Sequence, residues 1–300
     1  MTGYAGASGV AHKCKNLYVG VNNVARKIVK GYVGVNNIAR LCYSSALEIS
    51  YTGNYTDTIV TMDGSSYRLL TLTSSGTLTA SSSVTGDIWI CGAGGGGGSV
   101  NGAGGSGGYA ASSNNATFQS LTVTIGAAGH GGSGSNCTAG GNSSVSGGVS
   151  LSANGGAKGY YQYQFQIPTS GTGGGASGEN TLGGSKGDGV AKTPFGSSYF
   201  SYPYCDGGGG GASNDSSRYN GGAGGTNGGN GGARSSGGVN GGAGGGRYGG
   251  KGGDGTSSGC NGSAATGYGS GGGAGGWKSG GYDGVGANGY QGVCFIRIPV

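Results

Sequence analysis

Glycine placed in a three-residue register constrains this chain more than any other feature. Of 83 glycines, all but ten lie between Cys91 and Cys294. The register is clearest in GGAGGTNGGNGGA, residues 221–233, where glycine pairs leave every third position to Ala223, Asn227, Asn230 or Ala233 around one inserted residue, Thr226. An extended left-handed helix of the polyproline II type has three residues per turn and no internal hydrogen bonds, so its N–H and C=O groups need outside partners. Glycine allows neighbouring helices of this kind to come close enough to supply them. Ordering so much glycine costs about 0.5–1 kcal/mol per residue relative to alanine. A lattice of interhelix bonds, each worth roughly 0.5–1.5 kcal/mol net, offsets that cost. The competing reading is a disordered glycine-rich segment of the kind that forms condensates. Tyr109, Tyr219, Tyr248, Tyr268, Trp277 and Tyr282 punctuate the tract as caps and spacers would, which argues for order.

Around the glycine lie strand patterns. LEISY (47–51), TDTIVTM (56–62), YRLLTLT (67–73) and TLTAS (77–81) are separated by Gly53, Gly64 and Gly76, and DIWIC (87–91) leads into the glycine tract. FQSLTVTIG (118–126) places Leu121, Val123 and Ile125 on one face, and VCFIRIP (293–299) closes the chain. The expected fold is mainly β: a small antiparallel β-sandwich framework carrying a packed array of polyglycine II helices. Its parts are a strand region over 46–91 that opens the sandwich and a glycine-rich domain over 92–300 closed by strand 293–299.

Residues 1–45 form a separate basic module. LYVGVNNVARK (17–27) recurs as GYVGVNNIARL (31–41), each copy reading as a β-hairpin around Asn22–Asn23 or Asn36–Asn37, since asparagine tolerates the positive φ of two-residue turns. The net charge of +6 resides here: Lys13, Lys15, Arg26, Lys27, Lys30 and Arg40 meet no acid, whereas basic and acidic residues balance in the remainder. Two hairpins bury too little to stand alone. The module is therefore expected to attach the protein to a partner or to copies of itself as a trimer, through Tyr18, Arg26, Lys27, Lys30, Tyr32 and Arg40. Basic residues interleaved with tyrosines also suit nucleic acid, but they follow a repeat and match no nucleic-acid motif.

Two inserts interrupt the glycine. YYQYQFQIP (160–168) alternates aromatic and amide residues, and SSYFSYPYCD (197–206) gathers aromatics around Pro203. Tyrosine joins a rigid apolar body to a polar tip, a combination suited to recognition of sugars or surface loops. The candidate contact residues are Tyr199, Phe200, Tyr202 and Tyr204, then Tyr161, Tyr163 and Phe165. The alternative is that these rings cap the lattice.

Chemistry-bearing motifs are sparse. GAGGGG (92–97) satisfies the dinucleotide fingerprint G-x-G-x-x-G, yet no helix pattern follows it and no acid lies between Asp87 and Glu179 to take a ribose. KGGDG (251–255) has the look of a calcium nonapeptide but lacks tandem copies. The seven cysteines include no C-x-x-C pair and read as reduced, buried thiols; with two histidines, neither a metal site nor a catalytic triad has a seat. No enzyme activity and no cofactor are expected. No window approaches a membrane span, and the N-terminus lacks a secretory pattern, so synthesis and retention in the cytoplasm are expected.

The succession YRLLTLTSSGTLTASSSVTGDIWICGAGGGGGS, GGSGGYAASS, FQSLTVTIGAAGHGG and GGAGGWKSGGYDGVGANGYQGVCFIRIPV resembles the glycine-rich domain of bacteriophage tail fibres and adhesins, over roughly residues 66–300; a similar domain occurs in the ectodomain of anaplastic lymphoma kinase. The YVGVNNVAR-type repeats resemble those of tail-associated proteins in phages of Gram-positive gut bacteria. These resemblances imply a virion location with tail or fibre proteins as partners; the aromatic inserts lead us to expect a bacterial surface glycan or protein as target, and the charge repeat and the lack of an apolar window lead us to expect no nucleic-acid binding and no membrane insertion. An ice-binding or surface-coat protein on the same lattice is the alternative.

Overall fold

The computed structural model describes backbone strands within residues 3–44, together with residues 47–99, 104–133, 136–159, 193–201, 204–208, 213–214, 249–251, 261–278 and 282–300. The framework is one antiparallel sheet of eight strands. Its strands are β7 (Ile49–Tyr51), β8 (Tyr55–Met62), β9 (Ser65–Leu72), β10 (Gly76–Cys91), β11 (Ala110–Thr124), β12 (Ser143–Ser146), β13 (Leu151–Ala153) and β17 (Val293–Pro299). The order runs β13-β12-β11-β10-β17-β9-β8, with β7 on the early part of β10. Three two-residue strands, β14 (Ser213–Asn214), β15 (Trp277–Lys278) and β16 (Tyr282–Asp283), form a second small sheet. Among the described residues the sole helical turn is Pro194–Gly196, and no helix is long and apolar enough to cross a membrane.

The runs read separately as TLTAS and DIWIC are two halves of one strand, β10. Register shifts interrupt its pairing with β11 between Thr79 and Val84 and between Gly86 and Ile88. Such bulges bend a ribbon, and this one folds the sheet into two layers over a common core. Leu70, Leu72, Ile88, Ile90, Cys294 and Ile296 come from one layer, and Leu78, Leu121, Val123, Val145 and Ala153 from the other. Most of these are fully buried, each contributing roughly 1.5–3 kcal/mol if large and aliphatic. The alternation explains which face each strand presents. Leu121 and Val123 are buried while Thr122 and Thr124 stand exposed, and Ile125 packs against the same cluster. Along β17 both faces are apolar because both are covered: Val293 and Phe295 meet a second cluster with Met62, Leu69, Trp89 and Cys91. At the β8–β9 turn, Asp63 and Gly64 take φ of 49° and 83°, the left-handed values that a two-residue hairpin turn requires at both positions.

The basic module contains three hairpins, one more than the two repeats suggest. They are β1 (Gly3–Ala7) with β2 (Val10–Cys14), β3 (Leu17–Val21) with β4 (Val24–Ile28), and β5 (Lys30–Val35) with β6 (Ile38–Ser44). Tyr4, Tyr18 and Tyr32 occupy matching places, as do Gly6, Gly20 and Gly34, and His12, Arg26 and Arg40. GYAGASGVAHKC is thus a divergent first copy. Tyr18 pairs with Lys27, and Val33 with Arg40, across the second and third hairpins.

The glycine tract leaves and re-enters the framework between adjacent strands. Cys91, the last residue of β10, pairs with Val293, the first of β17. Further segments of the tract emerge from or lead into β11, β12 and β13, and Gly292 donates to Gly126 O at 3.0 Å just outside β17 and β11. Both layers of the sheet therefore open onto the same glycine-rich body.

Candidate functional site

Residues 92–97 are the centre of that body, and their hydrogen bonds repeat every three residues. Gly92 and Gly95 donate to Tyr109 O and Ser106 O; Ala93 and Gly96 donate to Gly141 O and Thr138 O; Gly94 and Gly97 donate to Tyr290 O and Ala287 O, all at 2.9–3.0 Å. Advancing three residues returns the chain to the same neighbour three residues back, so the backbone makes one turn in three residues beside antiparallel partners. The carbonyls repeat likewise. Ala93 and Gly96 accept from Gly156 and Gly159, Gly95 and Gly98 accept from Gly272 and Gly275, and Gly94 accepts from Gly129.

Six segments therefore enclose residues 92–98. Bonds between the neighbours close the ring: Ser106 to Ala157 O, Gly140 to Gly156 O, Gly141 to Ala127 O, Gly289 to Gly129 O, Ala287 to Gly273 O and Gly105 to Gly272 O. This enclosure explains why the central segment is nearly all glycine. A Cβ at Gly92, Gly94, Gly95, Gly96 or Gly97 would overlap the carbonyl of Asn154, Ser270, Ala157, His130 or Gly273, which lie on three stretches of neighbouring backbone. Outer segments need glycine where they face the centre, as at Gly129, Gly140, Gly286 and Gly289, and where they face one another, as at Gly126, Gly155, Gly156, Gly271 and Gly273. GAGGGG, the dinucleotide-like motif, is this buried centre, packed by neighbouring backbone and followed by no helix among the described residues.

Positions between the inward glycines point outward. Ala127, His130, Asn136, Thr138, Lys158, Val285, Asn288 and Tyr290 are exposed on side-by-side segments. Some also serve the backbone at the lattice rim, where no neighbouring segment is available. Asn288 Oδ1 accepts from Gly131 N at 2.8 Å, Thr138 Oγ1 from His130 N at 2.8 Å, Asn142 Oδ1 from Gly155 N and Asn261 Oδ1 from Val285 N at 2.9 Å. Each such bond gives a partner within the chain to an amide that no neighbouring segment reaches. Sequence reasoning missed this role for asparagine and threonine, although their recurrence beside glycine was the available signal.

The aromatic insert over 197–206 divides by ring. Phe200 lies 5.0 Å, centroid to centroid, from Phe295, and Tyr204 lies 5.7 Å from Phe295 and 6.2 Å from Trp89. Tyr268 joins them, 5.9 Å from Tyr204. These rings cover the outer face of β17 and β10, a packing on the sheet that is distinct from capping the glycine lattice. Arg297 lies between the rings of Tyr67 and Phe195 at 4.9 and 4.6 Å while its Nε donates to Asp87, fixing the start of the cover. Tyr199 stands at the rim, 44% exposed, edge-on to Phe200 at 5.2 Å. Of the candidate contacts, then, the structure brings Tyr199, Phe200 and Tyr204 together. Tyr202, Tyr161, Tyr163 and Phe165 lie outside the described residues, as does the 221–233 register, and the side chains of the attachment residues are likewise outside the description.

Beneath the cover lie polar groups that no sequence pattern signalled. Asp206 is buried, its Oδ1 has no hydrogen-bond partner, and burial pushes its carboxyl up to about 7. Cys205, its neighbour along the chain, and Cys91 are buried as well. Among the described residues no group of His, Cys, Asp and Glu is arranged to hold a metal ion.

A family model described as a glycine-rich domain matches residues 71–299. No curated protein matches the chain.

Proposed function

The chain belongs to the glycine-rich domain family, and on that premise we propose that it is a structural and binding protein of a phage virion, a tail-fibre or receptor-binding appendage. In this reading the threefold segments are polyglycine II helices that present variable side chains to a bacterial surface, and the three basic hairpins join the protein to other tail or fibre proteins or to two further copies of itself. The protein acts by adhesion rather than catalysis, is made in the host cytoplasm and resides in the virion. The observation that carries the reading is the separation of holding from display. Backbone–backbone bonds hold the lattice, so most outward side chains and connecting loops can change without disturbing it.

An ice-binding or coat protein on the same lattice would present a flat, repetitive row of small residues. The outward positions here, His130, Asn136, Lys158, Val285, Asn288 and Tyr290, are chemically mixed, which favours a shaped receptor contact. Purified full-length protein added before the phage should occupy host receptors and reduce adsorption, and peptides of the chain should be found in purified virions. Undiminished adsorption at saturating protein, with no peptides in the particle, would overturn the proposal.

A further inference from the structure

The thiols of Cys91 and Cys205 meet beneath the aromatic cover. A Cβ placed on Gly269 would lie 2.9 Å from Cys205 Sγ and 3.2 Å from Cys91 Sγ, so both sulfurs border one spot. The two thiols share a hydrogen bond, which together with burial holds the Cys205 thiol well above its ordinary range. Cys205 also sits at φ 69°, a left-handed conformation that non-glycine residues adopt rarely and at some strain. Glycine would fit this backbone more easily. The other buried cysteines have different surroundings: Cys137 Sγ donates to Gly159 O at 2.8 Å, and Cys294 packs in the inner core.

We propose that Cys91 and Cys205 are a disulfide-forming pair that staples the 204–208 segment and its aromatic cover to the end of β10 when the chain folds in the presence of a low-molecular-weight disulfide. Thiolate is the attacking species, and in the folded chain both cysteines are buried away from a dissolved disulfide, so exchange belongs to folding or to openings of the cover. One cysteine thiolate attacks a sulfur of the small disulfide and expels one small thiolate. The second then attacks the protein sulfur of the mixed disulfide and expels the other. Both leaving groups take up the protons lost by the cysteines, so two protein thiols and one small disulfide become one protein disulfide and two small thiols. The redox state met during folding is thereby locked in beneath the cover. The staple closes a loop of more than 100 residues, long enough that restricting the unfolded chain should raise the melting temperature by about 10 °C.

Refolding the full chain across oxidised-to-reduced glutathione ratios tests this, with peptide mapping under non-reducing conditions. The expected result in oxidising buffer is a Cys91–Cys205 linked peptide, loss of two titratable thiols, and a melting temperature about 10 °C above that of the reduced protein. Cys91→Ser and Cys205→Ser should each abolish the oxidant-dependent shift. Absence of the linked peptide at every ratio, or statistical pairing among the seven cysteines, would overturn the proposal.

Discussion

Replacing Gly96 by alanine separates a packed lattice from a linker, because the two predict opposite signs. In a flexible linker the extra methyl reduces the freedom of the unfolded chain and is neutral or stabilising by about 0.4–1 kcal/mol. In this structure the new Cβ would overlap the carbonyl of His130. That carbonyl already accepts from Thr138 N at 2.9 Å, and the carbonyl of Thr138 accepts from Gly96 N at 3.0 Å, while Gly96 O accepts from Gly159 N at 2.7 Å. The two segments cannot part without loosening this linked set. Overpacking costs about 1–3 kcal/mol, and one buried amide or carbonyl left unpaired costs about 1–3 kcal/mol more. After the unfolded-state gain, the net loss is about 1–5 kcal/mol, a fall in melting temperature of roughly 3–15 °C for a domain this size. Calorimetry on Gly96→Ala beside Ala127→Ser, an exposed outer position expected to change stability by less than about 0.5 kcal/mol, measures the contrast. Equal melting temperatures for the two variants, or a more stable Gly96→Ala, would refute the reasoning.

Asp206 gives a pH dependence of defined sign: its folded pKa is raised to about 7, so its contribution is fully present below about pH 4 and is lost as pH rises through 7, amounting to a few kcal/mol. Asp206→Asn should flatten that slope in urea melts at pH 5 and 8, and an unchanged slope would assign it to other groups. Phe200→Ala should lose about 2–4 kcal/mol because its ring packs on Phe295, whereas Tyr199→Ser should alter melting far less; adsorption lost in Tyr199→Ser without a stability change would identify a contact residue, and unchanged adsorption would remove it from the contact set. Deleting residues 1–45 should leave a folded body with an unchanged melting transition that no longer enters particles, and normal incorporation of the truncated protein would remove the attachment role from the hairpins.

Strand content was legible because alternation records burial directly: Leu121 and Val123 against Thr122 and Thr124 need no tertiary knowledge. The continuity of β10 was not, since Ser81–Val84 shows neither alternation nor a turn, and the bulges that bend it arise from pairing with β11. The first hairpin was hidden because Ala5 and Ala7 stand where the later copies have valine, and Ser8–Gly9 where they have Asn-Asn. The glycine register announced close approach of backbones, but which segments meet depends on contacts between positions as distant as Gly94 and Tyr290. Phe200 and Tyr204 looked suited to recognition because aromatic content alone does not say whether a ring faces solvent or Phe295. Asp206 and the Cys91–Cys205 pair carried no local pattern, as burial beneath the cover is a property of the fold.

Amide hydrogen exchange over residues 92–98 measures the lattice most directly. Each N–H from Gly92 to Gly97 donates to a neighbouring carbonyl inside a ring of six segments, and exchange should therefore require opening of the whole body. The account predicts protection of these glycine amides comparable to that of Ile90 and Ile296 in the sheet core, with faster exchange at rim amides such as Gly131. Exchange of residues 92–97 at free-peptide rates in the folded protein would contradict it.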